Sequence, residues 1–214
     1  MAIGFVDLLS ELTPYHRGLE LQQEAVSRVE TEQDEGTVFL LEHEAVYTAG
    51  KRATPEEYPV DGTPVVAVDR GGKVTWHGPG QLVVYPIVRL RNRLGVVDFV
   101  RELESALIRV AADVGVTGFR VEGRTGLWAD TGGLMPSKFA QIGLRARRGI
   151  VTHGIALNCN NKLTSFENFV PCGITDAGVT TLSLLTGNKI TPQDVVPSVR
   201  EHFETLLKEA AEWS

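Results

Sequence analysis

The chain has 214 residues, with 21 lysines and arginines against 27 aspartates and glutamates, a formal net charge of −6 and a pI of about 5.4. A composition of 43% hydrophobic and 22% charged residues is typical of a globular protein, and the length suits one domain covering 1–214. A basic run confined to Arg145, Arg147 and Arg148 excludes a duplex-binding protein, and two cysteines without a CxxC pair exclude a disulfide scaffold or a zinc site.

The first half of the chain predicts strands around one helix. Ile3–Leu9 alternates loosely and predicts a strand, and Thr13-Pro14 predicts a helix start with proline at the first helical position. Apolar runs predict further strands at 37–42, 64–69 and 82–90. The segment from 70 to 81 predicts a loop, and Pro86 indicates an edge strand or a bulge.

The second half carries two strong helical periods. Apolar residues recur at helical spacing over Val97–Val114, and a final helix begins at Thr191-Pro192. Between them, short strands are predicted at 119–122, 127–129, 139–145 and 150–158. Strands and helices mix without a regular βαβ alternation, so the fold class is predicted as α+β, a mixed sheet flanked by helices.

The N-terminal sequence MAIGFVDLLSEL has no basic start and no long apolar run, so we expect no secretory signal. No stretch approaches the roughly 18 apolar residues that a membrane span requires. We therefore expect a cytoplasmic protein that contacts no membrane and keeps its thiols reduced.

The densest motif is RGGKVTWHGPGQ, which covers 70–81. It is neither a Walker loop nor a dinucleotide fingerprint. Glycine clusters are usually turns, but a solvated turn rarely contains an aromatic residue between two hydrogen-bonding side chains, as at Thr75, Trp76 and His77. Backbone N–H groups in such a loop can hold an anion or a carbonyl oxygen, so the motif is a candidate ligand-binding segment.

Cys172 is the candidate nucleophile, because Pro171 and Gly173 favour an irregular backbone that aims the thiol and frees nearby N–H groups. The ordinary alternative is a small buried hydrophobe, which is the interpretation given to Cys159. A thiol with a pKa near ~8.5 needs a nearby cation to ionise at neutral pH. Lys138 is the chosen partner, since it opens an apolar stretch instead of lying in a polar surface run.

Among the five histidines, His77 and His153 each precede a glycine, and either is a candidate base for Cys172. The plainer interpretation is that both are hydrogen-bonded structural residues. No local cysteine-protease signature surrounds Cys172.

Four blocks in this order together resemble the lipoyl(octanoyl) transferase family. They are RGGKVTWHGPGQ at 70–81, SKFAQIG at 137–143, THGIALN at 152–158 and VPCGIT at 170–175. Phe139 and Gln141 depart from the smaller or aliphatic residues that usually follow the family's lysine, and they bear on the shape of the acyl pocket.

The resemblance implies a fold similar to the catalytic domains of lipoate and biotin protein ligases. It also implies catalysis by Cys172 and Lys138, with no metal and no cofactor. The substrate-binding residues that it implies are Arg70, Gly71, Gly72, Lys73, Val74, Thr75, Trp76, His77, Gln141, Ile142, Gly143, Gly154, Ile155 and Ala156. The implied donor is octanoyl-acyl carrier protein. The implied acceptors are lysines of the lipoyl domains of 2-oxoacid dehydrogenases and of the glycine-cleavage H protein, and the enzyme itself is expected to be a monomer.

Three other functions compete with this hypothesis. An ATP-dependent lipoate or biotin ligase of the same fold would need no cysteine. A non-catalytic acyl-binding or carrier-docking module would form no covalent adduct. A cysteine hydrolase would release free octanoate.

Overall fold

The computed structural model describes residues 3–59, 61–90, 95–169 and 177–212. The strands are β1 (Gly4–Thr13), β2 (Gly36–His43), β3 (Val46–Ala49), β4 (Val65–Ala67), β5 (Val74–His77), β6 (Gln81–Val88), β7 (Phe119–Val121), β8 (Arg124–Ala129), β9 (Ser137–Arg147) and β10 (Ile150–Asn158). The helices are α1 (Tyr15–Glu30), α2 (Val96–Asp113), α3 (Leu182–Thr186) and α4 (Pro192–Glu212), with short 3-10 helices at Pro55–Glu57 and Thr164–Phe166.

Seven strands form the main sheet in the order β1-β2-β6-β10-β9-β8-β7, and β4-β3-β5 form a small second sheet. Most neighbours are antiparallel, while β1 pairs with β2 and β3 with β4 in parallel. The predicted mixed sheet with flanking helices is therefore confirmed.

The central strands are apolar throughout because both faces of the main sheet are covered. Along β2, Val38 and Leu40 pack with α2 and α4, while Phe39 and Leu41 pack with α1. This split follows the two-residue period of a strand. It explains why β2 and β6 read as continuous hydrophobic runs.

Two local predictions are wrong. Pro14 does not begin α1 as its first residue but precedes it, because Thr13 is still paired in β1. The segment 70–81 is not a loop throughout, since Val74–His77 forms β5 and pairs with β3. The glycines on both sides of these four residues obscured a strand whose pairing partner is distant in sequence.

Pro86 lies in an interior strand and not at an edge, since β6 pairs with both β2 and β10. The ladder to β10 stops at Ile155–Val84 and resumes, in the same register, as the isolated bridge Arg89–Ile150. His153 lies opposite Pro86 in this register and has a positive φ of 60°. Proline has no N–H to donate, so the ladder to β10 is interrupted here, but the unchanged register means that there is no bulge and the prediction of an edge strand or a bulge is wrong.

No helix in the described ranges combines the length and the apolar character needed to cross a bilayer.

Candidate functional site

A cavity of about 420 Å³ opens between the glycine-rich segment, the β9–β10 pair and the starts of α1 and α2. The predicted site residues that line it are Arg70, Gly71, Gly72, Lys73, Thr75, His77, Lys138, Gln141, Ile142, Gly143, Gly154, Ile155 and Ala156. Blocks that are separate in sequence thus meet around one space, because β9 and β10 are neighbours and β5 leads into β6.

Val74 and Trp76 are the two predicted binding residues that do not line this cavity. They are buried in the core of the small sheet with Tyr47, Ala49 and Phe166. Alternation along β5 explains the division, since Thr75 and His77 point to the opposite face, toward the cavity.

Gly143 and Gly154 face each other in the β9–β10 pair. A Cβ on Gly154 would lie 1.9 Å from the carbonyl oxygen of Val84, and a Cβ on Gly143 would lie 3.0 Å from Cδ of Arg70. The absence of side chains lets the neighbouring backbone and Arg70 pack directly against this part of the sheet.

Arg70 joins the two sheets. Its guanidinium donates hydrogen bonds to the carbonyl oxygen of Thr48 at 2.7 Å, to Thr48 Oγ1 at 2.8 Å and to the carbonyl oxygen of Gly71 at 2.9 Å. The side chain is buried, so these bonds hold the glycine-rich segment against β3. The arginine therefore shapes the cavity as well as lining it.

Four rings that the sequence did not single out as a group pack beside the cavity, namely those of Tyr15, His43, His77 and Tyr85. His43 Nδ1 lies 2.8 Å from the carbonyl oxygen of Thr13, so it carries the proton, and Nε2 accepts from the Tyr85 hydroxyl at 2.7 Å. Burial lowers the pKa of His43 to about 4 and raises the pKa of Tyr15 to about 12. The group is therefore neutral at physiological pH.

The protonation state of His77 follows from its partners. Gln81 Nε2 donates hydrogen bonds to the carbonyl oxygen of Trp76 and to Asn158 Oδ1. Gln81 Oε1 therefore faces His77 Nδ1 at 2.8 Å and accepts a hydrogen bond from it, so Nδ1 carries the proton. Burial, together with repulsion from His43 once that ring is protonated at low pH, lowers the pKa of His77 to about 3. His77 is thus a neutral, hydrogen-bonded residue, in agreement with the plainer of the two interpretations of its sequence.

His153 is also held by hydrogen bonds. Its Nε2 lies 2.7 Å from Asp69 Oδ1, Asp69 pairs with Arg145, and the backbone N–H of His153 donates to Gln22 Oε1 at 2.7 Å. Burial and the positive charges of Arg70 and Arg145 lower its pKa to about 4. These contacts hold the strained backbone at His153 and indicate a structural role.

Lys138 reaches the cavity because β9 contains a bulge. Leu127 pairs with Ala140 but the next residue, Trp128, pairs with Lys138, which leaves Phe139 without an opposite residue. Phe139 and Ala140 both enter the core, and Lys138 takes the other face. Its Nζ lies 5.2 Å from the centre of the Trp128 ring, within the range of a cation–π contact.

The surroundings of Lys138 are tightly built. A Cβ on Gly126 would lie 2.6 Å from Lys138 Cε and 2.3 Å from the carbonyl oxygen of Ala140. The Gly126 N–H donates to the buried carboxylate of Glu104 at 2.9 Å, and that carboxylate also pairs with Arg101 and Arg120. Glu104 on α2 therefore fixes the stretch of β8 that passes the lysine.

Cys172 lies outside the described residues, as does the whole VPCGIT block. On its N-terminal side, Phe169 contacts the rings of Tyr47 and Phe166. On its C-terminal side, the carbonyl oxygen of Gly178 accepts the Lys138 N–H at 2.9 Å, and Thr180 donates back to Lys138 at 2.9 Å. The other cysteine, Cys159, is fully buried, and burial raises its thiol pKa well above the usual range, which agrees with the absence of an assigned role.

Among the described residues, no cluster of three or more histidine, cysteine, aspartate or glutamate side chains is placed to hold a metal ion.

Comparison with known proteins places the chain in a family. The family model described as the lipoyl protein ligase A/B catalytic domain matches residues 14–204. The octanoyltransferase of Leifsonia xyli subsp. xyli is 54% identical over 186 residues, which cover 86% of this chain and 83% of the relative. The octanoyltransferase of Arthrobacter sp. (strain FB24) is 50% identical over 205 residues, which cover 94% of this chain and 92% of the relative.

Solved structures agree on the fold. A bi-partite lipoate protein ligase of Thermoplasma acidophilum superimposes with a TM-score of 0.74 at 14% identity, over 97% of this chain and 84% of that one. The biotin protein ligase of Aquifex aeolicus superimposes with a TM-score of 0.56 at 14% identity, over 100% of this chain and 72% of that one. The predicted likeness to lipoate and biotin ligase catalytic domains is therefore confirmed, and the chain belongs to the lipoyl protein ligase A/B catalytic domain family and, within it, to the octanoyltransferases.

Proposed function

We propose that this protein transfers an octanoyl group from the thioester of an acyl carrier protein to a lysine of a lipoyl domain, in the cytoplasm and as a monomer. The family supports octanoyl transfer, since relatives about 50% identical over most of the chain are octanoyltransferases. The observation that carries the proposal is the cavity, in which buried Lys138 lies beside the glycine-rich segment and the β9–β10 glycines. A similar fold in an archaeal lipoylation system that includes an E2 lipoyl domain supports the choice of acceptor.

Cys172 is the proposed nucleophile. Its thiolate attacks the carbonyl carbon of the octanoyl thioester, a new carbon–sulfur bond forms, and the carrier thiolate leaves and takes up a proton. The acceptor lysine, as a neutral amine, then attacks the acyl-enzyme, an amide bond forms and the Cys172 thiolate is released. A thioester is already activated, so neither step requires ATP or a metal ion.

Chain connectivity supports a meeting of Cys172 and Lys138. Cys172 lies six positions before Gly178, which bonds directly to the Lys138 backbone. Six residues span at most about 20 Å. The described residues 178–180 run beside β9 at Lys138, where β10 has already ended, so the segment that follows Cys172 in the sequence is bonded to the lysine's backbone.

Lys138 is the proposed partner of the thiol: its ammonium stabilises the thiolate and gives its proton to the carrier thiolate as that group leaves. The neutral Lys138 amine that results is the proposed acceptor of the proton that the attacking amine loses. An ammonium beside a thiol lowers the thiol's pKa, which favours the thiolate at neutral pH. His77, the second candidate, has its Nδ1 proton engaged by Gln81 and a pKa lowered to about 3. A group with so low a pKa is too weak a base to accept the proton of the attacking amine, so Lys138 is favoured as the proton acceptor.

The cavity also suits the acyl chain. Val96, Val100, Ile142, Ile155 and Ala156 supply apolar lining. Burial of seven chain carbons at about 0.8 kcal/mol each provides several kcal/mol of binding energy.

Intact-mass measurement tests the proposal. Mixing the protein with octanoyl-acyl carrier protein, in the absence of ATP and magnesium, is expected to add one octanoyl group that hydroxylamine removes. Adding a lipoyl domain should discharge the adduct and leave the octanoyl group on the domain's lysine. Cys172→Ser should abolish the thioester adduct.

The competing functions give different results in the same assay. A ligase would transfer octanoate only with ATP, a docking module would bind without any adduct, and a hydrolase would release free octanoate. A thioester adduct that survives Cys172→Ser would disprove the assignment of the nucleophile.

A further inference from the structure

Two buried polar side chains lining the cavity lack a hydrogen-bond partner among the described residues. Gln141 is 6% exposed and neither atom of its amide is bonded, and Thr75 is 5% exposed with its Oγ1 unbonded. Leaving such a group unsatisfied costs about 1–3 kcal/mol. Both residues line the same cavity, so the groups are arranged for a polar ligand atom that lies there.

Gln141 shares a face of the sheet with Lys138. After the bulge at Phe139, Ala140 points into the core, so Gln141 and Gly143 point to the opposite side. Arg70 lies on that side, because a Cβ on Gly143 would meet it. The glutamine amide therefore lies one short step along β9 from the lysine, over the same space.

The transferred acyl group offers one polar atom to satisfy this amide. An octanoyl group has a hydrocarbon chain and one polar atom, its carbonyl oxygen. That oxygen becomes negatively charged when the nucleophile adds, and a prearranged donor is most effective at such an atom. No described residue bonds either end of the Gln141 amide, so its nitrogen can turn toward the oxygen.

We propose that Gln141 is a catalytic residue whose side-chain nitrogen donates a hydrogen bond to the thioester carbonyl oxygen and to the oxyanion that forms from it. In this proposal the Thr75 hydroxyl, which lines the same cavity, orients the same carbonyl. The inference rests on the proposed octanoyl transfer and adds a carbonyl-binding group to it. The glutamine makes and breaks no covalent bond, and its hydrogen bond shortens as charge builds on the oxygen.

The test is Gln141→Met, which keeps the length of the side chain and removes both hydrogen-bonding atoms. With an octanoyl carrier-protein donor, kcat is expected to fall about 100-fold, the usual loss for one oxyanion donor, while KM changes by less than about threefold. Because an unsatisfied buried amide disappears, Tm is expected to rise by about 2–4 °C. Loss of activity together with a gain of stability is not the result of a merely structural role.

The matched control is Gln33→Met, at an exposed glutamine outside the cavity, which should change neither kcat nor Tm. Gln141→Asn withdraws the amide by one methylene and should lower kcat at least tenfold, which decides the question if the methionine variant does not fold. A kcat within threefold of wild type, a change in KM alone, or a fall in both kcat and Tm would overturn the role of Gln141. Failure of wild type to transfer octanoate at all would instead overturn the proposed function.

Discussion

At the scale of single residues, the geometry of Lys138 depends on a neighbour with no side chain. Gly126 has a φ of 110°, and its α-carbon faces the Lys138 side chain across the β8–β9 bulge. Glu104 fixes that stretch of backbone by accepting the Gly126 N–H. The position of the ammonium is thus set by contacts from two other elements.

Gly126→Ala is expected to displace the lysine and slow formation of the acyl-enzyme about 100-fold, since displacements of about 1 Å at a reacting group have effects of this size. Stopped reactions analysed by intact mass would give the rate. Gly132→Ala also places alanine at a positive φ, 76°, but its Cβ meets nothing within 4 Å, so it should leave the rate unchanged. Equal rates for the two variants would contradict the role of Gly126.

The residues that line the cavity are easier to predict from the sequence than the residues that surround it. Of the fourteen predicted binding residues, only Val74 and Trp76 fail to line the cavity, and the two-residue period of β5 accounts for them. His43, at the end of β2, and Glu104, on α2, are not among the residues predicted from the sequence. Nothing in their local sequence differs from that of an ordinary strand end or helix face, since their partners are distant in the chain.

At the scale of elements, both ends of α2 and β10 and the start of α4 are predicted to within one residue, because the apolar patterns of these segments are long. The four-residue strands β3 and β5 are not predicted, because a segment this short shows no recognisable hydrophobic period. Their stability comes from pairing with each other. Helix α3 was likewise too short to detect.

The contact between β10 and β6 at the cavity depends on a glycine. Gly154→Ala would place a Cβ 1.9 Å from the Val84 carbonyl oxygen, so the variant is expected to lose at least about 3 kcal/mol of stability or to fail to fold. Gly4→Ala, on β1, is the control, since its Cβ would have no atom within 4 Å. Its midpoint of urea unfolding should equal that of the wild type. If both variants had the wild-type midpoint, the close packing of β10 on β6 would be disproved.

At the scale of the whole molecule, three buried histidines make stability depend on pH. The pKa values of His43 and His153 are lowered to about 4 and that of His77 to about 3, from 6.5 in the unfolded chain. Between these values the unfolded chain binds protons that the folded protein does not, so stability is complete above about pH 6.5 and is lost as pH falls toward 4.

Near pH 5 the unfolded chain binds up to three more protons than the folded protein, so the free energy of unfolding falls by up to about 4 kcal/mol for each pH unit. Urea unfolding at pH 7.5, 6.0 and 5.0 would measure it. His43→Gln should reduce the slope by about a third, whereas His16→Gln, at an exposed position, should leave it intact. A stability that is constant from pH 7 to 5 would show that these histidines are not neutral in the folded protein.

The unpaired residue in β9 has a consequence for how this chain tolerates change in length. Phe139 and Ala140 both face the core, so the strand regains its alternation with an amine and an amide looking into the same chamber. Deleting Phe139 would make the ladder regular and leave the amine where it is, because Lys138 would then alternate directly with Ala140. Pairing the intact chain without the bulge would instead turn the amine toward the hydrocarbon interior, so this point of the strand should tolerate the loss of a residue better than a shift of register.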